Sequence, residues 1–448
     1  MAKKTVCSFF LFLLITGVAT AWSYSLNART MGMGGADIFA SKHAIRNPAY
    51  RSVPPTGERQ PLVIPIPIGL FKFLGDMPEF DPDEPDFDGV EIANLFFNLP
   101  LELELIEPPS TEQSDVLVDI GINDLKIDLG TAGDVIPKDE FTFGRTLNAD
   151  ICSFGFSKMF LSFSPILFGT SRTKLSDNLV RALRDAEPFV SDETYNLATE
   201  GEIGVGISTG LGYALRVHNF ADQPEDSRDG IYFGFTGKYL IGLAYLDYDS
   251  DVDFITGNPI FSENNPMTTR MDGVLRTSAP GVEESGSTGM GIGLDLGLAV
   301  VRGPWEFGFG ARDIASTIKC KVHEQIYRYD DETNNFEVIQ EAMKKSYSYS
   351  LPRTAVFNLI YCGENYRLGA DVRKEARGFS THLGLEYDLM PAIKMRGGMM
   401  TDTNNMLQAT GGMGFRAGWF GFDFALATNN DNLSREKGLS LYTSLAIY

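Results

Sequence analysis

Asp247, Asp249, Asp251 and Asp253 recur at every second position. In an extended chain that spacing puts all four carboxylates on one face, an oxygen-rich array of the kind calcium takes up with six to eight ligands. The residue order is not the D-x-[DN]-x-[DN]-G of a calcium loop, so these four are metal candidates by chemistry alone, and a solvated charged face is the competing reading. A second acidic stretch, Asp76 to Glu91, is broken by Pro78, Pro82 and Pro85. Gly206-Ile-Ser-Thr-Gly210 fits the G-x-S-x-G of serine hydrolases, but a nucleophile elbow needs a strand-turn-helix context, and Ser208 stands inside a long alternating run. Met31-Gly-Met-Gly-Gly35 has the glycines of a dinucleotide loop without a surrounding βαβ unit. His43, His218, His323 and His382 are scattered, with no H-x-x-H pair. The chain therefore reads as a non-enzyme, with no catalytic residue and no cofactor assigned.

The elements that carry these residues have a two-residue rhythm. Ile203, Val205, Ile207, Leu211, Tyr213 and Leu215 alternate with Gly204, Gly206, Ser208, Gly210, Gly212 and Ala214. Successive side chains of a strand point to opposite faces, so one face here is apolar and the other nearly bare. Met290 to Val300 and Trp305 to Phe309 repeat the pattern. A soluble sandwich or lipocalin-like barrel alternates too, with its apolar face inward. The N-terminus favours the membrane barrel, whose dyad is apolar outward. Lys3 and Lys4 precede an apolar run from Val6 to Val18, and Ala19-Thr-Ala21 supplies a cleavage site, the pattern of a secretory signal over 1–21. No later run approaches the ~18 apolar residues of a spanning helix.

Composition agrees with export. Without Cys7, the cysteines Cys152, Cys320 and Cys362 form no disulfide framework or zinc pattern. Loss of Lys3 and Lys4 makes the net charge two units more negative than −21, which argues against nucleic acid as a partner.

Strands counted back from the C-terminus fall at 437–447, 419–428, 406–416, 392–401, 379–388, 366–374, 353–362, 305–314, 288–301, 230–246, 201–216, 159–168, 150–158 and 116–129. The long connections 130–149, 169–200, 247–287 and 315–352 then lie on one side, and short turns on the other, with 217–229 the exception. That asymmetry belongs to outer-membrane barrels. The expected fold is an all-β antiparallel transmembrane barrel of about 14 strands, divided into a signal (1–21), a hatch and lead-in segment (22–115) and the barrel (116–448). Pro65 and Pro67 remove ladder donors and place Leu62 to Phe73 outside the regular wall. Leu175, Leu179 and Leu183, four residues apart, predict a short helix in the 169–200 connection. Leu294, Phe307 and Leu383 are expected to face lipid, as are Leu441 and Leu445, with Tyr448 in the interfacial girdle. Protease added to intact cells is expected to cut within 247–287 and 315–352.

Asn27-Ala-Arg-Thr-Met-Gly-Met-Gly-Gly-Ala36, followed by Asn47-Pro-Ala49, resembles the mature start of FadL-type outer-membrane proteins, including PorV-like and TraF-like barrels. The run Thr381 to Tyr387, Met395-Arg-Gly-Gly398 and on to Phe415 resembles their closing strands. The resemblance implies a hatch inside a fourteen-stranded barrel, with Gly32, Gly34, Gly35, Asn47, Pro48 and Ala49 as its structural residues, and it implies traffic in hydrophobic molecules. Ser41-Lys-His-Ala-Ile-Arg46 departs from the acidic, alanine-rich family pattern, so only the plug role carries over. Taken as residues alone, the glycines permit tight turns and Asn-Pro holds Asn47 extended, while a periplasmic lead-in strand remains the alternative. The functional expectation is a monomeric porin-like barrel in the outer membrane of a Gram-negative-type bacterium, with lipid around it, passing small hydrophobic molecules past the plug. The alternative is a PorV-like docking or shuttle barrel for secreted proteins. An outer-membrane lipase or acyltransferase would need a serine, a histidine and an acid clustered on the wall. An apolar patch on the inner wall separates the first two readings, since a conduit needs one and a docking scaffold does not.

Overall fold

The computed structural model describes residues 27–36, 47–54, 62–66, 101–104, 117–120, 125–129, 136, 140–148, 152–156, 158–220, 227–260, 268–278, 289–330, 335–375, 378–401, 407–429 and 438–448. The signal, the acidic stretch at Asp76 to Glu91 and the segment 37–46, which includes Ser41 to Arg46, lie outside them. Among the described residues no helix is long and apolar enough to cross a membrane.

The strands are β1 (Leu62–Ile66), β2 (Leu101–Glu104), β3 (Leu117–Ile120), β4 (Leu125–Asp128), β5 (Glu140–Asn148), β6 (Cys152–Phe156), β7 (Met159–Leu175), β8 (Thr194–Asn219), β9 (Gly230–Ile255), β10 (Thr268–Ser278), β11 (Gly289–Arg302), β12 (Trp305–Arg312), β13 (Thr317–Asp330), β14 (Asn335–Tyr349), β15 (Thr354–Cys362), β16 (Tyr366–Glu375), β17 (Gly378–Met390), β18 (Ile393–Thr401), β19 (Leu407–Ala417), β20 (Phe420–Asn429) and β21 (Gly438–Ile447). The described residues also include two helices, α1 (Ala28–Met31) and α2 (Asp177–Arg184), and a 3-10 turn at Pro48–Ser52. The fold is an all-β antiparallel barrel. Among the described residues fourteen strands form its wall, namely β1, β6 to β9, β11, β12 and β15 to β21, each paired antiparallel with its neighbour from β6 round to β21 and on to β1. The sheet is strongly curled, because α1 packs on β19 to β21 while Pro48–Ser52 packs on β8, β9 and β11 of the same inner face.

Three expectations about the wall are corrected. The run 116–129 is not a wall strand, since β3 and β4 pair only with each other. In its place β1 and β2 share the free edge of β21, β1 against Thr443–Ile447 and β2 against Leu441–Gly438. Proline is tolerated on an edge, so Pro65 pairs in register with Ser444 despite its missing N–H. Pro165 lies inside β7 rather than near a strand end, at the break where β6 has ended and β5 has not begun.

Much of the described part of the long connections is strand as well. The upper parts of β7, β8 and β9, together with β5, β10, β13 and β14, continue the sheet beyond the wall. Within the connection at 169–200, α2 carries Leu179 and Leu183, while Leu175 ends β7. The branch point is a bulge in β9 between Gly242 and Ala244. Below it β9 pairs with β11, and above it with β10.

The outer face is apolar. Phe307 is 41% exposed, Leu383 56% and Leu445 41%, while Leu294 shares the outward register half-buried. Leu441 is half-buried, and Tyr442 is turned inward and buried. Trp305, Tyr361, Tyr366, Trp419 and Phe420 cluster at the ends with short turns, the girdle of a membrane-spanning barrel. Tyr448 joins them, its ring beneath the Arg416 guanidinium and its N–H on the Trp419 carbonyl. A groove of about 710 Å³ between Trp305, Tyr361, Leu368, Leu385 and Met399 belongs to this outer face.

Candidate functional site

The inner face is built in layers. At the level of the girdle and just above it, glycines form two seats for the N-terminal segment. In the first, Asn27 caps α1 by accepting the Arg29 N–H, and the chain then turns through Gly34 (φ 65°) and Gly35 (φ 73°). A Cβ at Gly34 would stand 2.6 Å from the Leu383 and Met399 carbonyl oxygens, so only glycine fits this left-handed turn against the wall. Gly32 is not left-handed; its bareness allows close approach to Gly412. Gly34 N–H donates to Thr410 Oγ1 at 2.8 Å, its carbonyl meets His382 Nδ1 at 2.7 Å, and Arg373 donates to the Gly35 carbonyl.

In the second seat Asn47 is extended (φ −142°), accepts the Ala49 N–H at 3.0 Å and donates to the Leu298 carbonyl at 3.0 Å. Pro48 and Ala49 lie against Gly234 and Gly297, which have no side chain to displace them. Tyr50 accepts from Asn358 Nδ2 at 2.5 Å and is buried with Tyr232, Ala299 and Val301. The six N-terminal residues singled out by sequence thus lie on the inner wall in two groups, Gly32, Gly34 and Gly35 against β17 to β20 and Asn47, Pro48 and Ala49 against β9 and β11.

Sequence reading missed the charged side chains of the first seat. Arg29 is bidentate to Glu386, with Nε and Nη2 at 3.2 and 3.1 Å. Arg396 bridges Glu386 (2.8 Å) and Asp423 (2.6 Å), and Arg367 and Lys394 approach Glu386 at 3.3 and 3.7 Å. Such groups persist out of water only when paired. The available signal was charge at inward positions of otherwise apolar strands, as at His382 and Glu386 of β17. Ser380 Oγ lies 3.0 Å from His382 Nε2, but the other ring nitrogen of that histidine is committed to the Gly34 carbonyl.

Above the seats comes an ion network, in which Lys238 Nζ lies 2.8 Å from both Asp295 and Asp313. Next is an apolar band of Phe168, Leu240, Tyr245, Ile318, Val322 and Tyr349, with Tyr245 stacked on Tyr349 at 4.0 Å. The β9 bulge turns the odd residues inward from Tyr245 onward, and this brings the aspartate array to the inner face above the band. Asp247 accepts from Arg276 at 2.5 Å and from the Tyr347 hydroxyl at 3.2 Å, and Asn196 donates to Asp251 and Asp253. Alternate residues of a strand are roughly 6.6 Å apart, too far for the four carboxylates to converge on one ion. Among the described residues no group of three or more metal-ligating side chains is placed to hold a metal. Beside the array, Lys345 and Arg276 hydrogen-bond Glu324 and hold its carboxyl below the usual range. Ser208 is buried in mid-strand in β8.

The family model that fits this chain spans residues 132–429. The chain belongs to DUF5723, a family of unknown function. The part matched to DUF5723 runs through β5 to β20 and excludes both N-terminal seat segments and β21. No curated protein matches the chain in sequence. Among solved structures, the fold is similar to a Pseudomonas aeruginosa FadL homologue, with 12% identity, 66% of this chain and 75% of the other covered, and a TM-score of 0.35. It is also similar to the Ralstonia pickettii toluene transporter TbuX (9% identity, 70% and 89% covered, TM-score 0.30). A deletion mutant of the TodX monoaromatic hydrocarbon channel compares at 9% identity, 70% and 90% covered, and a TM-score of 0.26.

Proposed function

We propose that this DUF5723 protein is an outer-membrane barrel of a Gram-negative-type bacterium, that it lets small hydrophobic molecules enter passively, and that residues 27–36 and 47–53 plug its interior. The observation that carries the reading is the apolar band on the inner wall, Phe168, Leu240, Tyr245, Ile318, Val322 and Tyr349. A docking scaffold has no use for apolar side chains turned inward above a charged layer, whereas a conduit for apolar solutes needs a surface that stabilises them at each stage of passage. No energy-coupling step is required, because entry follows the gradient.

Proteoliposomes test both parts. The wild-type protein is expected to speed entry of a monoaromatic tracer while excluding small sugars. Deletion of residues 27–53 is expected to admit sugars and leave the wall folded, since its strands are held by their own backbone ladder. Unchanged sugar exclusion after deletion would refute the plug, and tracer entry no faster than in empty liposomes would refute the conduit.

A further inference from the structure

The ion network between the seats and the apolar band contains a cation that the protein leaves incompletely bonded. Arg312 is an inward residue of β12, opposite Asp295 on β11. Its side chain is 9% exposed, yet Nε and Nη1 have no hydrogen-bond acceptor, and the nearest carboxylate oxygen, Asp295 Oδ2, is 3.8 Å from Nε. A buried donor without an acceptor is destabilising, so an arriving acceptor atom is favoured there. The neighbouring carboxylates are held toward other donors through their Oδ1 atoms. Asp295 Oδ1 accepts from Lys238 and from the Asp313 N–H, and Asp313 Oδ1 accepts from Lys238.

The network adjoins the apolar band. Leu240 of the band stands two residues from Lys238 on β9, and a Cβ on Gly293 would lie 3.4 Å from both side chains. Just beyond Arg312, Ser316 exchanges hydrogen bonds with Leu351 of the same band. Two cations, Lys238 and Arg312, face two carboxylates, Asp295 and Asp313, so the network is already neutral. An anion arriving here would bring an uncompensated charge next to two carboxylates. A neutral molecule with one acceptor oxygen would supply what Nε and Nη1 lack while its apolar part lay against the band.

We infer that Arg312 is the polar end of a ligand subsite and that the preferred solute is a neutral apolar molecule bearing a hydrogen-bond acceptor, such as an aryl ketone, ester or ether. This rests on the uptake reading above and narrows its substrate class.

Equilibrium dialysis of the detergent-solubilised protein against ethylbenzene, acetophenone and benzoate, each referenced to protein-free detergent, tests it. Acetophenone is expected to bind about tenfold more tightly than ethylbenzene, the scale of one added charge-assisted hydrogen bond. Benzoate is expected to bind more weakly than acetophenone. The double variant Arg312→Met/Asp295→Asn removes one charge of each sign and keeps an acceptor for Lys238 and the Asp313 N–H; its acetophenone preference is expected to disappear. Equal wild-type binding of acetophenone and ethylbenzene would overturn the subsite and leave the conduit standing, as would a preference that survives in the folded double variant. Tighter binding of benzoate would overturn the neutral class. Failure of every probe to bind, together with no tracer entry into proteoliposomes, would remove the subsite and the conduit together.

Discussion

Glu386 and Arg29 form one ion pair but are not equivalent. Removing Arg29 leaves Glu386 with Arg396, Arg367 and Lys394, whereas removing the Glu386 charge takes one shared carboxylate from four cations at once. Stranding buried charge costs about 3–5 kcal/mol. Glu386→Gln should therefore lower barrel stability by about that amount, and Arg29→Met by clearly less, as read from thermal unfolding in detergent. Equal losses would mean that Glu386 depends on Arg29 alone. Gly34→Ala acts on backbone instead, since its left-handed φ costs an L-residue roughly 1–2 kcal/mol before any clash. The added carbon also meets two wall carbonyls at 2.6 Å. Hydrogen exchange should rise in the backbone of residues 28–36 with the wall strands unchanged; unaltered protection of α1 would show that the turn tolerates a side chain.

Each wall strand has one face for lipid and one for the interior, so the same substitution has opposite consequences one residue apart. Arginine at an outward position near the bilayer midplane costs about 2–4 kcal/mol. Leu383→Arg and Phe307→Arg should each reduce folding into bilayers by that amount, and folding yields equal to wild type would mean that this face is solvated. Beyond the wall, the β10, β13 and β14 sheet depends on Glu324. Its pKa is lowered from the ordinary 4.5, chiefly by the hydrogen bond from Lys345. A depressed carboxylate contributes stability that is present above its unfolded value and lost as pH falls through the lower folded one. Hydrogen-exchange protection factors in these strands, corrected for intrinsic rates, should fall as pH drops below about 4.5, and Glu324→Gln should flatten that dependence. An identical acid response in the variant would place the sensitivity elsewhere.

For the whole barrel, the sheet extension and the short turns must lie on opposite sides of one membrane. Because much of 247–287 and 315–352 is strand rather than loop, protease has few sites there, and single cysteines report topology better. Asn258→Cys should react with a membrane-impermeant maleimide on intact cells above the wild-type background, and Ala392→Cys, in the turn between β17 and β18, should react only after permeabilisation. The reverse labelling would invert the barrel.

Alternation marked the wall strands, because a strand has only two faces, and the basic and apolar run at Lys3 to Val18 favoured the reading with the apolar face outward. Ile203 to Leu215 and Met290 to Val300 could be read that way without neighbours. The glycines that alternate with them were legible as small; that Gly234, Gly297, Gly398 and Gly412 are the places where another part of the chain touches the wall was decided only by the curl of the sheet. The same holds for Asp247 to Asp253, whose shared face follows from period two, while its direction follows from a bulge at Leu243 that no local pattern marks. The first wall strand was misplaced at 116–129 because edge strands such as β1 are short, and proline on an unpaired edge carries no penalty that a sequence pattern can reveal. Arg29 and Glu386 are 357 residues apart, and Lys238 of β9 reaches Asp295 and Asp313 from outside the β11–β12 hairpin. Their partners are set by register across the wall, and register is a property of the tertiary structure.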